Sequence, residues 1–150
     1  MSIDKDINQT KFRNEKQKVI INIIYTSNWI NEKIKLVLDK EDITLQQFNI
    51  LRILRGAGKP ISTLQIRQRM MDKMSDTSRI VDRLMVKKLV KKIVCAGDKR
   101  MVDVSITAKG TKLLESIDGS ADEWDAIASS LTKADANAMN KLLDKMRQSL

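Results

Sequence analysis

Histidine is absent from all 150 residues, which removes the commonest general base and the commonest protein metal ligand together. Cysteine occurs once, at Cys95. One thiol cannot close an internal disulfide or build a thiolate metal cage, in keeping with a reducing compartment and an expected cytoplasmic location. Aromatic residues make up only 3% of the chain, so the expected core is aliphatic. Long apolar runs are missing too. The longest, Val19 to Ile21 and Ile23 to Tyr25, fall far short of the roughly 20 residues that span a bilayer. The polar start from Met1 to Thr10 has no apolar signal region. No paired carboxylates stand at catalytic spacing. Gly56-Ala57-Gly58 follows a helical pattern and lacks a third glycine, so it reads as a helix stop and not a phosphate loop. These gaps argue against an enzyme and imply neither a metal nor a cofactor.

Positive charge, in contrast, is abundant and unevenly placed. The formal net charge is +9. From Arg52 to Arg100 there are 14 Lys and Arg against 4 Asp and Glu, a net +10, while the remainder holds 14 against 15, a net −1. Solubility alone would not localise charge in this way; a basic middle between near-neutral flanks is the footprint of a module that binds a polyanion.

The periodicity is mainly helical. Ile20, Ile23, Ile24, Ile30, Ile34, Val37 and Leu38 form one stripe of a long helix over about 13–38. Thr44-Leu45-Gln46-Gln47 reads as a capping box, with Ile43 and Phe48 as its hydrophobic staple and Gly56 to Gly58 as its stop. Ser62-Thr63-Leu64-Gln65 opens a second, shorter helix that turns Ile66 and Met70 inward, and Met71 to Met74 form a turn. Ser75 is the expected N-cap of a third helix, in which Thr77, Ile80, Val81 and Leu84 share the inner face. Its outer face presents Ser75, Asp76, Ser78, Arg79, Asp82 and Arg83. Two short helices with a tight turn, the second bearing a polar and basic strip, read as a helix-turn-helix.

From Leu89 the period changes to two. Ile93 and Cys95, alternating with Lys92 and Val94, and Val102, Val104 and Ile106, alternating with Met101, Asp103 and Ser105, predict two strands joined by a charged tip from Ala96 to Arg100. Cys95 is expected on the inward parity. Thr107 caps a helix with Leu113, Leu114 and Ile117; the pattern loosens at Gly119-Ser120 and resumes through Trp124, Ile127 and Leu131. Thr132 to Asp135 gives a further capping box before Met139, Leu142, Leu143, Met146 and Leu150. The amphipathic stripes at both ends exceed the surface one small protomer offers for burying them, which predicts a homodimer.

In this order and spacing, the motifs resemble the MarR family of winged-helix regulators. Ser75 to Leu84 is similar to the family's recognition helix, Leu89-Val90-Lys91-Lys92 to the strand after it, Asp98-Lys99-Arg100 to its Asp-x-Arg wing tip, and Ile106 to Gly110 to its Leu-Thr-x-x-Gly. Three positions depart from the pattern. Lys88 stands where the family usually has glycine, which requires either a left-handed lysine or a different helix end; Lys91 and Lys92 stand where Glu-Arg is frequent.

The resemblance implies a mainly α fold with a small β-hairpin wing, one domain over 1–150: a winged-helix DNA-binding lobe at about 44–110 and dimerisation helices at 13–38 and 111–150. It implies binding to a pseudo-palindromic duplex operator as a homodimer, generally as a repressor. The recognition helix (Ser75, Asp76, Thr77, Ser78, Arg79, Arg83) would enter the major groove, and the wing (Asp98, Lys99, Arg100) the minor groove. A small aromatic or anionic effector would relieve binding from a crevice lined by Tyr25, Trp29 and Phe48; the competing reading makes these ordinary core residues and is preferred for Phe48, whereas Trp29, off the main apolar stripe, suits the pocket. Two alternatives compete: a winged helix that binds protein, disfavoured by the basic outer strip, and redox sensing through Cys95, disfavoured because relatives that sense oxidants do so near the N-terminus.

Overall fold

The computed structural model describes residues 2–95 and 98–148, with residues 95 and 98–101 described by their backbone alone. The chain opens with a short helix, α1 (Ile3–Asp6), and the long α2 (Glu15–Leu38). Asn14 caps α2 by accepting from the Gln17 N–H at 2.9 Å. Only Val37 and Leu38 of its 24 residues are buried, so α2 leaves the rest of the protomer as an arm. A 3-10 turn (Asp39–Glu41) and left-handed Asp42 (φ 52°) redirect the chain into the core.

The two predicted capping boxes then form in sequence. Thr44 Oγ1 accepts from the Gln47 N–H while Gln47 Oε1 accepts from the Thr44 N–H, opening α3 (Leu45–Ala57). Gly58 closes α3 at φ 64°, which glycine adopts without a Cβ penalty. Ser62 and Gln65 repeat the box at α4 (Thr63–Arg69). Between the two helices lies β1 (Ile61–Ser62), too short for any period to announce it. Then follow α5 (Thr77–Val86), β2 (Val90–Cys95), β3 (Asp98–Ile106), α6 (Ala108–Asp118), α7 (Ala121–Ala126) and α8 (Lys133–Arg147). The sheet is antiparallel in the order β1-β3-β2. Its core packs Ile50, Leu51 and Leu54 of α3 against Ile66, Leu84, Val104 and Leu114, all nearly solvent-free.

The hairpin differs from the alternation expected. Lys92 pairs with Val104, and Ile93 with Asp103. Directly opposed residues share a face, so Val90, Lys92 and Val94 lie on the face of buried Val104 and Ile93 on the other; only Val90 of these four strand residues is buried, Ile93 and Val94 being 38% and 57% exposed. A lysine is tolerated there because its ammonium reaches Asp82 on α5 at 2.7 Å. β3 also starts earlier than expected: Asp98, Lys99 and Arg100 belong to the strand, and a register shift separates Val94 from Cys95.

Lys88 takes the left-handed conformation outright, at φ 60°. Around it the end of α5 forms a Schellman motif. The Lys88 N–H donates to the Met85 carbonyl at 2.9 Å and the Leu89 N–H to the Leu84 carbonyl at 3.0 Å. Gly110 backs the same corner: a Cβ there would lie 2.4 Å from the Leu89 carbonyl oxygen and 2.8 Å from Ile106 Cγ1. Close approach of α6 to the strand entrance thus requires glycine.

Candidate nucleic-acid interface

The start of the third helix is built from three short side chains with separate jobs. Asp76, and not Ser75, caps α5, its Oδ1 accepting from the Arg79 N–H at 3.1 Å. Ser75 is drawn instead to Asp72, donating its hydroxyl to Oδ2 at 2.8 Å while Oδ1 accepts from the Met74 N–H at 3.0 Å. The Ser75 hydroxyl, then the Met74 N–H, hold the Asp72 carboxyl below its usual pKa. Asp72 therefore organises the turn that delivers the helix. Sequence reading passed over it, although Asp bonding an N–H two residues on is ordinary turn chemistry.

Thr77 does not join the outer strip. It is 4% exposed, and its hydroxyl has no hydrogen-bond partner among the described residues. A buried side chain cannot meet a groove, so the structure removes Thr77 from the expected contacts. Asp76, Ser78, Arg79, Asp82 and Arg83 are exposed and Ser75 is half-buried. Arg79 and Arg83 stand one turn apart on the same face. Neither guanidinium is engaged by another side chain among the described residues. Asp82, the carboxylate beside them, is occupied by Lys92 at 2.7 Å and does not neutralise them. Two free cations thus project from a helix whose other face, Val81 and Leu84, is fixed in the core. The side chains of Asp98, Lys99, Arg100 and Cys95 lie outside the described residues, as does Leu150.

The three aromatics expected to line one crevice do not converge. Phe48 is a core residue, 6% exposed, stacked on Trp124 with ring centroids 5.3 Å apart. Trp29 lies on a small surface cleft beside Glu123 and Ile127, with Lys33 Nζ 5.9 Å from its ring centroid. Tyr25 is exposed. A crevice of about 630 Å³ does lie between the C-terminal end of α2 and the lobe, with Lys35, Asp39, Asn49, Met70, Met71 and Asp72 in its walls. Asn49 Oδ1 accepts from the Met71 N–H at 3.0 Å, tying that wall to α3. A second groove, about 580 Å³ and almost wholly apolar, separates α2 (Ile23, Ile30) from α8 (Met139, Leu142, Met146).

No helix among the described residues is long and apolar enough to cross a membrane. No family model matches the chain, and no curated protein matches it in sequence. Solved structures do. The chain is similar to a MarR-like transcription regulator from Bacillus cereus, with a TM-score of 0.80 at 19% identity over 91% of this chain and 98% of the other. A mutant MarR from E. coli, complexed with operator DNA, gives a TM-score of 0.80 at 24% identity, covering 91% and 99%. An organohalide-sensing transcriptional regulator in its 2,4-dichlorophenol-bound form gives 0.84 at 19% identity, covering 93% and 86%. The first and third of these neighbours are described as transcription regulators.

Proposed function

From this MarR-type winged-helix fold, we propose that the protein is a sequence-specific double-stranded DNA-binding transcription regulator, acting as a cytoplasmic homodimer and relieved by a small molecule. The observation that carries the reading is the pair of free guanidiniums, Arg79 and Arg83, on the exposed face of α5 within a segment of net charge +10. Short side chains at Ser75 and Ser78 let the helix backbone approach base edges, and Arg79 and Arg83 reach bases or phosphates from it. Arg100 is assigned to the minor groove of the adjoining turn, with Asp98 orienting it and Lys99 facing phosphate. Repression is the sign of regulation implied by the resemblance.

The arrangement in one unit over 1–150, a lobe at about 44–110 between dimerisation segments at 13–38 and 111–150, is supported by what the protomer leaves uncovered. No residue of α8 is buried. Ile24 and Leu142 are 57% and 66% exposed, and Val19, Ile20, Met139 and Met146 are exposed with them. A twofold partner laid against α2 and α8 buries these residues and presents two copies of α5 to half-sites about 34 Å apart. The crevice beside Asp72 adjoins the turn that delivers α5, where occupation by a small molecule shifts the helix relative to the arm.

A mobility-shift titration tests this reading. Wild type should bind a selected duplex and lose roughly a thousandfold or more in affinity between 50 and 200 mM salt, given six or more neutralised phosphates per dimer. Arg79→Ala and Arg83→Ala should each weaken the specific complex by about 1–3 kcal/mol. Wild-type affinity in the Arg79→Ala, Arg83→Ala double variant would remove α5 from the interface.

A further inference from the structure

We infer that the crevice between α2 and the DNA-binding lobe takes an apolar organic cation. The inference rests on the reading of this crevice as the effector site and specifies what enters it. At about 630 Å³ the space suits a drug-sized molecule. Its floor is apolar: Leu38, Ile43 and Met70 are buried there, and no aromatic residue lines it. Its charged groups are Asp39, Asp72 and Lys35. The walls therefore carry one more negative charge than positive in a chain whose formal charge is +9. The charge carried by the crevice walls is thus opposite in sign to that of the whole chain, which favours a cation over an anion in contact with them.

The two carboxylates differ from the lysine in how they are held. Asp72 is fixed by Ser75 and the Met74 N–H, which also keep it ionised, and it cannot leave the wall without breaking the turn. Asp39 follows the last turn of α2, and its carboxylate has no partner among the described residues. Lys35 is exposed on α2, one turn earlier, on a flexible four-carbon stem with no partner among the described residues. It withdraws into water at little cost. Soft thioethers at Met70 and Met71 adapt to varied apolar shapes. A cation seated against Asp72 competes with the Ser75 hydroxyl for the same carboxylate, so occupation and the start of α5 are linked through one side chain.

Tetraphenylphosphonium and tetraphenylborate, matched in shape and opposite in sign, separate charge from hydrophobicity. In isothermal titration of the full chain, tetraphenylphosphonium should bind saturably at one site per protomer. Asp39→Asn and Asp72→Asn should each weaken it roughly tenfold, and Lys35→Gln should tighten it, while tetraphenylborate gains nothing from Lys35→Gln. Asn at 72 keeps an acceptor for the Met74 N–H, and Lys35→Gln leaves the turn untouched, so a folding defect in one variant does not silence the test. Absence of tetraphenylphosphonium binding, or binding indifferent to all three substitutions, would overturn the inference. The titration contains no DNA, so failure of the regulatory reading would show separately, in mobility shifts.

Discussion

Replacing Lys88 by glycine should stabilise the protein, although it removes a side chain and adds none. Lys88 sits at φ 60°, where an L-residue sets its Cβ against the following carbonyl at a cost of roughly 1–2 kcal/mol. Glycine removes that cost but brings extra freedom to the unfolded chain, worth about 0.4–1 kcal/mol against folding. The hydrogen bonds that residue 88 makes at the corner use its main-chain atoms. Its N–H donates to Met85, and its carbonyl accepts from Thr107 Oγ1 at 2.8 Å. All survive the change. The net gain is about 0.5–1 kcal/mol, or a Tm rise of about 1–4 °C for a domain of this size. Lys88→Ala is the control, since it deletes the side chain and keeps the Cβ; it should leave Tm unchanged within about 1 °C. Differential scanning calorimetry reads both. A glycine variant no more stable than the alanine variant would mean that the left-handed corner is not what this residue contributes.

Gly110→Ala should act in the opposite sense at the same corner. Its Cβ meets main chain 2.4 Å away, which cannot rotate aside, so a loss of about 1–3 kcal/mol or more is expected in urea unfolding. Thr77→Val should gain up to about 1 kcal/mol by removing a buried hydroxyl without a partner, and leave DNA affinity unchanged; weaker binding would return Thr77 to the interface. Stability should be flat from about pH 5.5 to 7.5, because no histidine exists to titrate there. The Asp72 and Asp118 carboxyls, the first lowered by the Ser75 hydroxyl and the second by the Arg55 guanidinium, add stability that is present above the ordinary aspartate range and lost as pH falls through their folded values. Acid unfolding monitored by circular dichroism should therefore begin only below about pH 4.

Where structure follows from chemistry within a few residues, it was legible. The boxes at Thr44, Ser62 and Thr132 each need only a hydroxyl and an acceptor three positions on, and all three form. The start of α5 was misplaced by one residue because Ser75 and Asp76 are both competent caps. Asp72 decides between them by engaging the Ser75 hydroxyl, leaving Asp76 to serve the helix. Strand parity failed for a longer-range reason. Hydropathy puts Ile93 inside, but pairing to β3 sets Lys92, and not Ile93, on the face of buried Val104, and Lys92, Ile93 and Val94 all stay exposed. Phe48 is the core residue that its place in the staple implied, while its stacking partner, Trp124, comes from 76 residues downstream, beyond the reach of local patterning. The crevice itself had no sequence signature, since its walls come from the end of α2, the start of α3 and the turn after α4.

Selection of bound sites from random duplexes by the full chain at physiological salt tests the central claim most directly. The account predicts enrichment of an inverted repeat whose half-site centres lie about one helical turn apart, bound by two protomers, with enrichment abolished in the Arg79→Ala, Arg83→Ala double variant. Recovery of unenriched sequence, with affinity no higher than for heparin or random duplex, would contradict it.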